Sequence, residues 1–247
     1  MNEIIDALHA RKSVRVFEER DIPTPEREAI LLAAMAAPTA GNMQLYTILN
    51  VTDQALKDRL AVTCDDQPFI AKAPMVLIFL ADCRKWHAAF VEAGCEPRAP
   101  GVGDLLMAVS DANIAAQNAV TAAESLGIGS CYIGDIMERR EEHRALLGLH
   151  DCVFPAVMLV LGYPTQQQRE RKKPERRDPR YIVQSNRYHP HSADELRAMF
   201  CEQHGAQTYE QWMSAFCARK YNSDFARELT RSVAGYLEEY ESVKGGE

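Results

Sequence analysis

The sequence is short of several things, and each shortage excludes a class of protein. Seven cysteines stand at 64, 83, 95, 131, 152, 201 and 217, but the number is odd and no C-x-x-C occurs, so reduced thiols are expected in place of a disulfide framework. No apolar run approaches the ~20 residues of a membrane helix. One such run, Met75 to Ala81, has the length of a strand. Cations are the minority charge, 28 Lys and Arg against 35 Asp and Glu for a net charge of −7, which argues against a general nucleic-acid surface. A basic-then-apolar leader is missing too, because Glu3 and Asp6 interrupt the first residues, and the expectation is a soluble cytoplasmic protein with no membrane partner. P-loop, nucleophile-elbow and metalloprotease motifs do not occur. Gly101-Val102-Gly103 and Gly127-Ile128-Gly129 both lack the third glycine of a dinucleotide fingerprint. Cys83, His87 and Cys95 come nearest to a ligand cluster, but their spacing fits no common zinc pattern and no metal is expected.

What is present begins with Arg11, Lys12, Ser13 and Arg15, which follow an amphipathic run carrying Ile4, Ile5 and Leu8 and precede the apolar Val16-Phe17. Two planar forks, a point charge and a hydroxyl at one junction are the donors a phosphate dianion requires. A basic turn of this kind is also a common solvated feature, so the rest of the chain has to decide. Thr24-Pro25-Glu26 predicts a helix start with Thr24 as cap. Pro38 to Asn42 forms a polar loop before a β-rich run, Tyr46 to Val51, and Asp53 caps the next helix. Gln67 sits in a polar break ahead of the apolar run from Pro74 to Ala81, which predicts a strand covered on both faces.

Residues 83–102 read as an excursion, in part a helical lid. Gly103 to Leu126 is the strongest helix, with seven alanines for close packing and Gly127 at its left-handed end. Asn113, Gln117 and Asn118 need partners within it. A short strand breaks at Gly134, Glu141 to Leu147 is helical, and Val153 to Leu161 predicts a second buried strand. Arg169 to Arg180 is strongly basic and kept from helix by Pro174 and Pro179. Helices are expected at Ala193 to Cys201, Thr208 to Lys220 and Phe225 to Tyr240.

Six of these stretches resemble, in order and spacing, the FMN-dependent nitroreductase family of the NADPH flavin-reductase and oxygen-insensitive type. They are R-K-S-V-R-V-F from Arg11, A-P-T-A-G-N-M-Q from Ala37, D-D-Q-P-F from Asp65, G-I-G-S-C-Y-I-G-D from Gly127, V-L-G-Y-P from Val160 and K-K-P-E-R-R from Lys172. The resemblance implies an α+β fold: a central, mostly antiparallel sheet surrounded by helices, in a 1–190 flavin domain with a 191–247 helical extension. It implies a homodimer with tightly but non-covalently bound FMN at its interface, NADPH or NADH as donor and a small-molecule acceptor. By that similarity Arg11, Lys12, Ser13 and Arg15 hold the phosphate, joined by Lys173 and Arg176 or Arg177. Thr39 and Asn42 line the site from the partner, Gln67 meets the ring edge, and Tyr132, Ile133, Gly134 and Asp135 run along the ring with the Gly134 amide near N5. The implied activity is hydride transfer to nitroaromatics, quinones or free flavins by a ping-pong course. The alternatives are a dehalogenase-type reductase on the same fold, or a flavin-binding or redox-sensing protein without turnover. The chemistry agrees, because a flavin carries the redox step and leaves the protein only to bind, orient and tune.

Overall fold

Two almost wholly apolar strands set the architecture. In the computed structural model, which describes residues 2–200 and 206–241, β2 (Met75–Asp82) and β4 (Val153–Gly162) pair antiparallel at the centre of a four-stranded sheet of order β1-β2-β4-β3. β1 (Tyr46–Asn50) and β3 (Gly129–Ile133) flank them, and all three pairings are antiparallel. Continuous burial along β2 and β4 follows from helices on both faces, which removes the usual reason for polar alternation. Leu77 and Phe79 point into one core layer, Val76 and Ile78 into the other.

The first layer rests on α2 (Thr24–Met35) and α6 (Val102–Ser125). The alanines of α6 at 108, 112, 115, 116, 119 and 123 are fully buried, and they let the helix lie close to the sheet. α6 ends through Gly127 at φ 73°, the left-handed conformation expected of that glycine. Its polar residues are partnered: Gln117 accepts from the Tyr132 hydroxyl at 3.1 Å, Asn118 donates to the Ala33 carbonyl at 3.1 Å and Asn113 to its own helix at Val109. The second layer holds α3 (Gln54–Thr63), capped by Asp53 through Leu56 N at 2.7 Å, and the short α4 (Phe69–Lys72).

Two local expectations are revised. Thr24 does not cap α2, because the helix begins at Thr24 itself with Pro23 as the preceding residue. In α1 (Glu3–Ala10) no residue is buried, so Ile4 and Leu8 form a face that the described residues do not cover. The 83–102 excursion is partly helical, as expected: α5 (Arg84–Glu92) is followed by a turn and irregular chain up to α6.

The chain packs as two compact units, Met1–Arg171 with Glu228–Glu247, and Lys172–Arg227. Most of the last helix, α11 (Asp224–Glu241), therefore belongs to the first unit: Tyr236 meets Phe154 edge-on at 5.1 Å. Glu239 is tied to α7 (Arg140–Leu147), where it accepts from Arg140 at 2.7 Å and also from Arg144. The second unit contains a short turn at Pro179–Tyr181, then α9 (Ala193–Phe200) and α10 (Tyr209–Lys220), joined by Arg197 and Glu210 at 2.6 Å. Cys201, the expected end of α9, and residues 242–247 lie outside the described residues.

Candidate functional site

The basic segment is laid along the edge of the sheet by two glycines. Gly129 and Gly162 are register partners at the ends of β3 and β4. A Cβ on Gly129 would sit 2.5 Å from Val14, and one on Gly162 2.7 Å from Phe17. Only residues without side chains at these two places let the 11–17 arm lie against the strands. The arm is held there by Val14 N to Ser130 O at 2.9 Å and Glu18 N to Tyr163 O at 2.8 Å. Val14 is buried and anchors the cations, whereas Val16 is half exposed and does not.

Each polar group on the arm then has a distinct situation. Lys12 is committed to backbone: its ammonium donates to the carbonyls of Arg169, at 2.7 Å, and Arg171. Ser13 and Arg15 face the Cys131 thiol, which burial pushes up in pKa against the pull of those two side chains and of Arg11. Arg15 also lies over the Phe69 ring, 6.0 Å from its centroid, and its backbone N–H reaches Gln168. Arg11 is the exception. Its Nε and Nη2 are buried and have no hydrogen-bond partner among the described residues. It stands close to Tyr132, whose phenol is pushed up to about 12 by burial and pulled back by Arg11. A guanidinium with two inward donors unsatisfied is costly unless something else accepts from it.

The other expected residues divide into groups. Tyr132 and Ile133 end β3, Gly134 takes helical φ and ψ of −81° and −20°, and Asp135 opens a short 3-10 turn. A Cβ at Gly134 would meet only Met137 Cε at 3.8 Å, an ordinary contact. Gln67 donates to the Cys64 carbonyl at 2.8 Å through its amide nitrogen. Thr39 is spoken for: its hydroxyl donates to Asp111 and accepts from Gln44 N at 2.8 Å. Asn42 is exposed, in the left-handed region at φ 57°. Lys173 and Arg176 belong to the second unit, where they line a cavity of about 610 Å³ together with Trp212 and Tyr181.

Residues 8–163 match the nitroreductase family. The chain belongs to the nitroreductase family. It is 31% identical over 240 residues to an FMN reductase [NAD(P)H] of Bacillus subtilis, covering 96% of this chain and 92% of that protein. An oxygen-insensitive NADPH nitroreductase of Salmonella typhimurium is 33% identical over 204 residues, 82% of this chain and 81% of the other. Among solved structures, the NADPH:FMN oxidoreductase of Vibrio harveyi complexed with NAD⁺ superposes with a TM-score of 0.81 at 25% identity, covering 96% of this chain and 98% of that one.

Reading the nitroreductase sequence by motif passes over three residues that shape this region. Asp111, buried in α6, holds the 39–45 loop by accepting from Thr39 Oγ1, from Ala40 N at 3.1 Å and from Leu45 N at 3.3 Å. Its signal was a lone carboxylate on the alanine face of a helix, where an unpaired charge needs several donors. Arg171 donates to the Ser13 carbonyl at 2.6 Å and fixes the arm from behind. Glu138 is buried with Oε1 unpartnered, and burial together with Asp135, Asp65 and Glu228 raises its carboxyl to about 7. Nothing in the pattern of charges around position 138 distinguishes it from the exposed acids that follow.

Proposed function

We propose that this chain is an FMN-dependent NAD(P)H oxidoreductase, a homodimer that passes hydride from the nicotinamide to a nitroaromatic, a quinone or a free flavin in a ping-pong course. The observation that carries the reading is Arg11, whose buried Nε and Nη2 are unsatisfied among the described residues, beside Ser13, Arg15 and the end of β3. Those orphaned donors fit a phosphate group, which would accept from them with charge-assisted hydrogen bonds.

Bound FMN would supply the hydride-accepting and hydride-donating centre. In this reading Arg11, Ser13 and Arg15 hold the phosphate. Lys12 keeps the arm folded through its two carbonyl bonds and adds its charge. Gln67 has its amide oxygen free of the Cys64 contact and offers it to the ring edge. Tyr132, Ile133, Gly134 and Asp135 run along the ring, and the room at Gly134 lets a flat group come close to the backbone. The cations raise the local concentration of anionic nicotinamide nucleotides and favour the anion of the reduced state.

Dimerisation is supported by apolar surface that the described residues leave uncovered: Ile4 of α1, Leu32 of α2 and Leu106 of α6 are each more than 60% exposed. In a dimer formed through these helices, Asn42 and the loop that carries it serve the partner's flavin. Anaerobic titration with NADPH tests the whole reading. Protein loaded with FMN should bleach near 450 nm and recover on addition of an acceptor. A colour that persists would leave a flavin binder without turnover.

A further inference from the structure

His143 is the buried residue of α7, fully enclosed within the fold. Both of its ring nitrogens are engaged. Nδ1 lies 2.9 Å from the Ile136 carbonyl, which can only accept, so Nδ1 carries the proton and donates. Nε2 is then the acceptor, and the Thr63 hydroxyl donates to it at 2.8 Å. Leu60 O also lies within reach of that hydroxyl, but at 3.5 Å. Burial pushes the imidazole pKa down against the pull of the Ile136 and Glu138 backbone, which keeps the ring neutral. The two partners belong to separate segments. Ile136 sits in the 3-10 turn Asp135–Met137 that follows Gly134. Thr63 ends α3, and the turn that delivers Gln67 hangs from it. That turn is strained: Asp65 and Asp66 stand in succession at φ 62° and 50°, where residues with side chains are uncommon. Such a conformation persists only where the surroundings hold it. Gln67 holds the far end, through N to Ala61 O and Nε2 to Cys64 O, both at 2.8 Å. Thr63, fully buried and tied to His143, holds the near end.

We infer that His143 is a positioning residue: its imidazole is the brace that sets the spacing between Gln67 and the 134–137 turn, and so the seat of the flavin ring against them. An apolar side chain could fill the same space, but a neutral imidazole with one donor and one acceptor also fixes where the two segments stand relative to each other. The inference rests on the reading that Gln67 and Tyr132 to Asp135 face the ring. It adds that ring placement and cofactor affinity have separate supports. The cations that hold the phosphate are carried by the 11–17 arm, anchored through Val14 to Ser130, whereas His143 reaches neither the arm nor its anchors. Loosening the brace should therefore misplace the ring without releasing the phosphate, and a displacement of about 1 Å between reacting groups can cost on the order of 100-fold in rate.

The test uses two variants of the full chain. Thr63→Val removes the hydroxyl with almost no change of shape, so it is compatible with folding. His143→Asn puts an amide nitrogen in the place of Nδ1, which keeps the bond to Ile136 and gives up Thr63. In FMN-loaded protein, the limiting rate of reduction by NADPH should fall about ten-fold or more in both variants, with the FMN Kd and the NADPH KM within about three-fold of the parent. The visible flavin band should change shape as the ring moves. In the flavin-free chain, the amides of Gln67, Met137 and Glu138, which all donate within the two braced turns, should exchange about ten-fold faster, beyond any change at the centre of β2 and β4. Parental rate, band shape and exchange in Thr63→Val would overturn the inference. So would a loss of FMN affinity as large as the loss of rate, the result of a general loosening. Failure of the parent chain to take up FMN would instead sink the oxidoreductase reading, and the exchange measurement would still decide whether His143 braces the two turns.

Discussion

Val14 packs so tightly on Gly129 that a single methyl group between them has no room, the nearest approach being 2.5 Å. That contact ties the cations of the arm to the sheet, because Arg11, Ser13 and Arg15 hang on either side of Val14. Gly129→Ala should therefore cost about 1–3 kcal/mol of stability by overpacking. It should also loosen FMN binding by displacing the arm. The remedy lies on the other side of the contact: Val14→Ala in the same chain should restore part of both losses. Thermal melts and flavin titrations on the single and double variants check this, and strict additivity of the two losses would count against it.

Arg11 separates ligand binding from folding. Its Nε and Nη2 make no hydrogen bond among the described residues. Arg11→Ala should leave the melting temperature of the flavin-free protein little changed, or slightly raised. The same change should weaken FMN by about 1.5–3 kcal/mol, the worth of a charge-assisted contact, or roughly ten- to more than a hundred-fold in Kd. Calorimetric titration of the apoprotein measures this directly. A large loss of apoprotein stability with unchanged FMN affinity would move Arg11 out of the site.

The fold was legible where burial alone decides the element. Val153 to Leu161 and Met75 to Ala81 are apolar at every position because both faces of β2 and β4 are covered, and the alanines and terminal glycine of α6 are the direct imprint of close packing. Part of the candidate site was legible for a different reason: four of its polar side chains, Arg11, Lys12, Ser13 and Arg15, fall within five residues of sequence. The long-range supports were not. Asp111 reaches a loop 66 to 72 residues earlier, and Arg171 reaches Ser13 across 158 residues. No local pattern marks a side chain whose partner is set by tertiary packing. Thr39 shows the converse, since a hydroxyl in a polar loop reads as free until Asp111 is seen to hold it.

Glu138 should give the protein a pH dependence of its own. Burial, then the charges of Asp135, Asp65 and Glu228, raise its carboxyl to about 7, against the weaker opposing pull of Arg139. The folded chain thus holds a proton that the unfolded chain releases near the ordinary value of 4.5. Stability from this group is fully present below that ordinary value and is lost as pH rises through about 7. Glu138→Gln mimics the protonated form permanently. The variant should match the parent near pH 4.5 and become the more stable of the two above pH 7, as read from melting midpoints across that window. Parallel curves for the two proteins would show that Glu138 ionises freely in the fold.

Asp111 and Arg15 together test whether the site is shared between two chains. Asp111→Asn replaces one carboxylate oxygen with a donor, so Ala40 N on one side, or Thr39 and Leu45 N on the other, loses its acceptor. Each buried group left unpaired costs on the order of 1–3 kcal/mol. The loop from Thr39 to Leu45 should then loosen, since Gly41, Asn42 and Gln44 are held at positive φ and relax once the restraint weakens. Flavin retention should fall in that homodimer, as it should in Arg15→Ala. The mixed dimer is the informative species. If the loop serves the partner's flavin, one site of the mixed dimer draws Arg15 and Asp111 from the two undamaged positions, and the other collects both lesions. One FMN per dimer should then bind with parental affinity. If the loop serves its own chain, each site carries one lesion and neither binds normally. Differently tagged chains, co-purified and titrated with FMN, give a stoichiometry near one in the first case and near zero in the second, and the second result would end the shared-site arrangement.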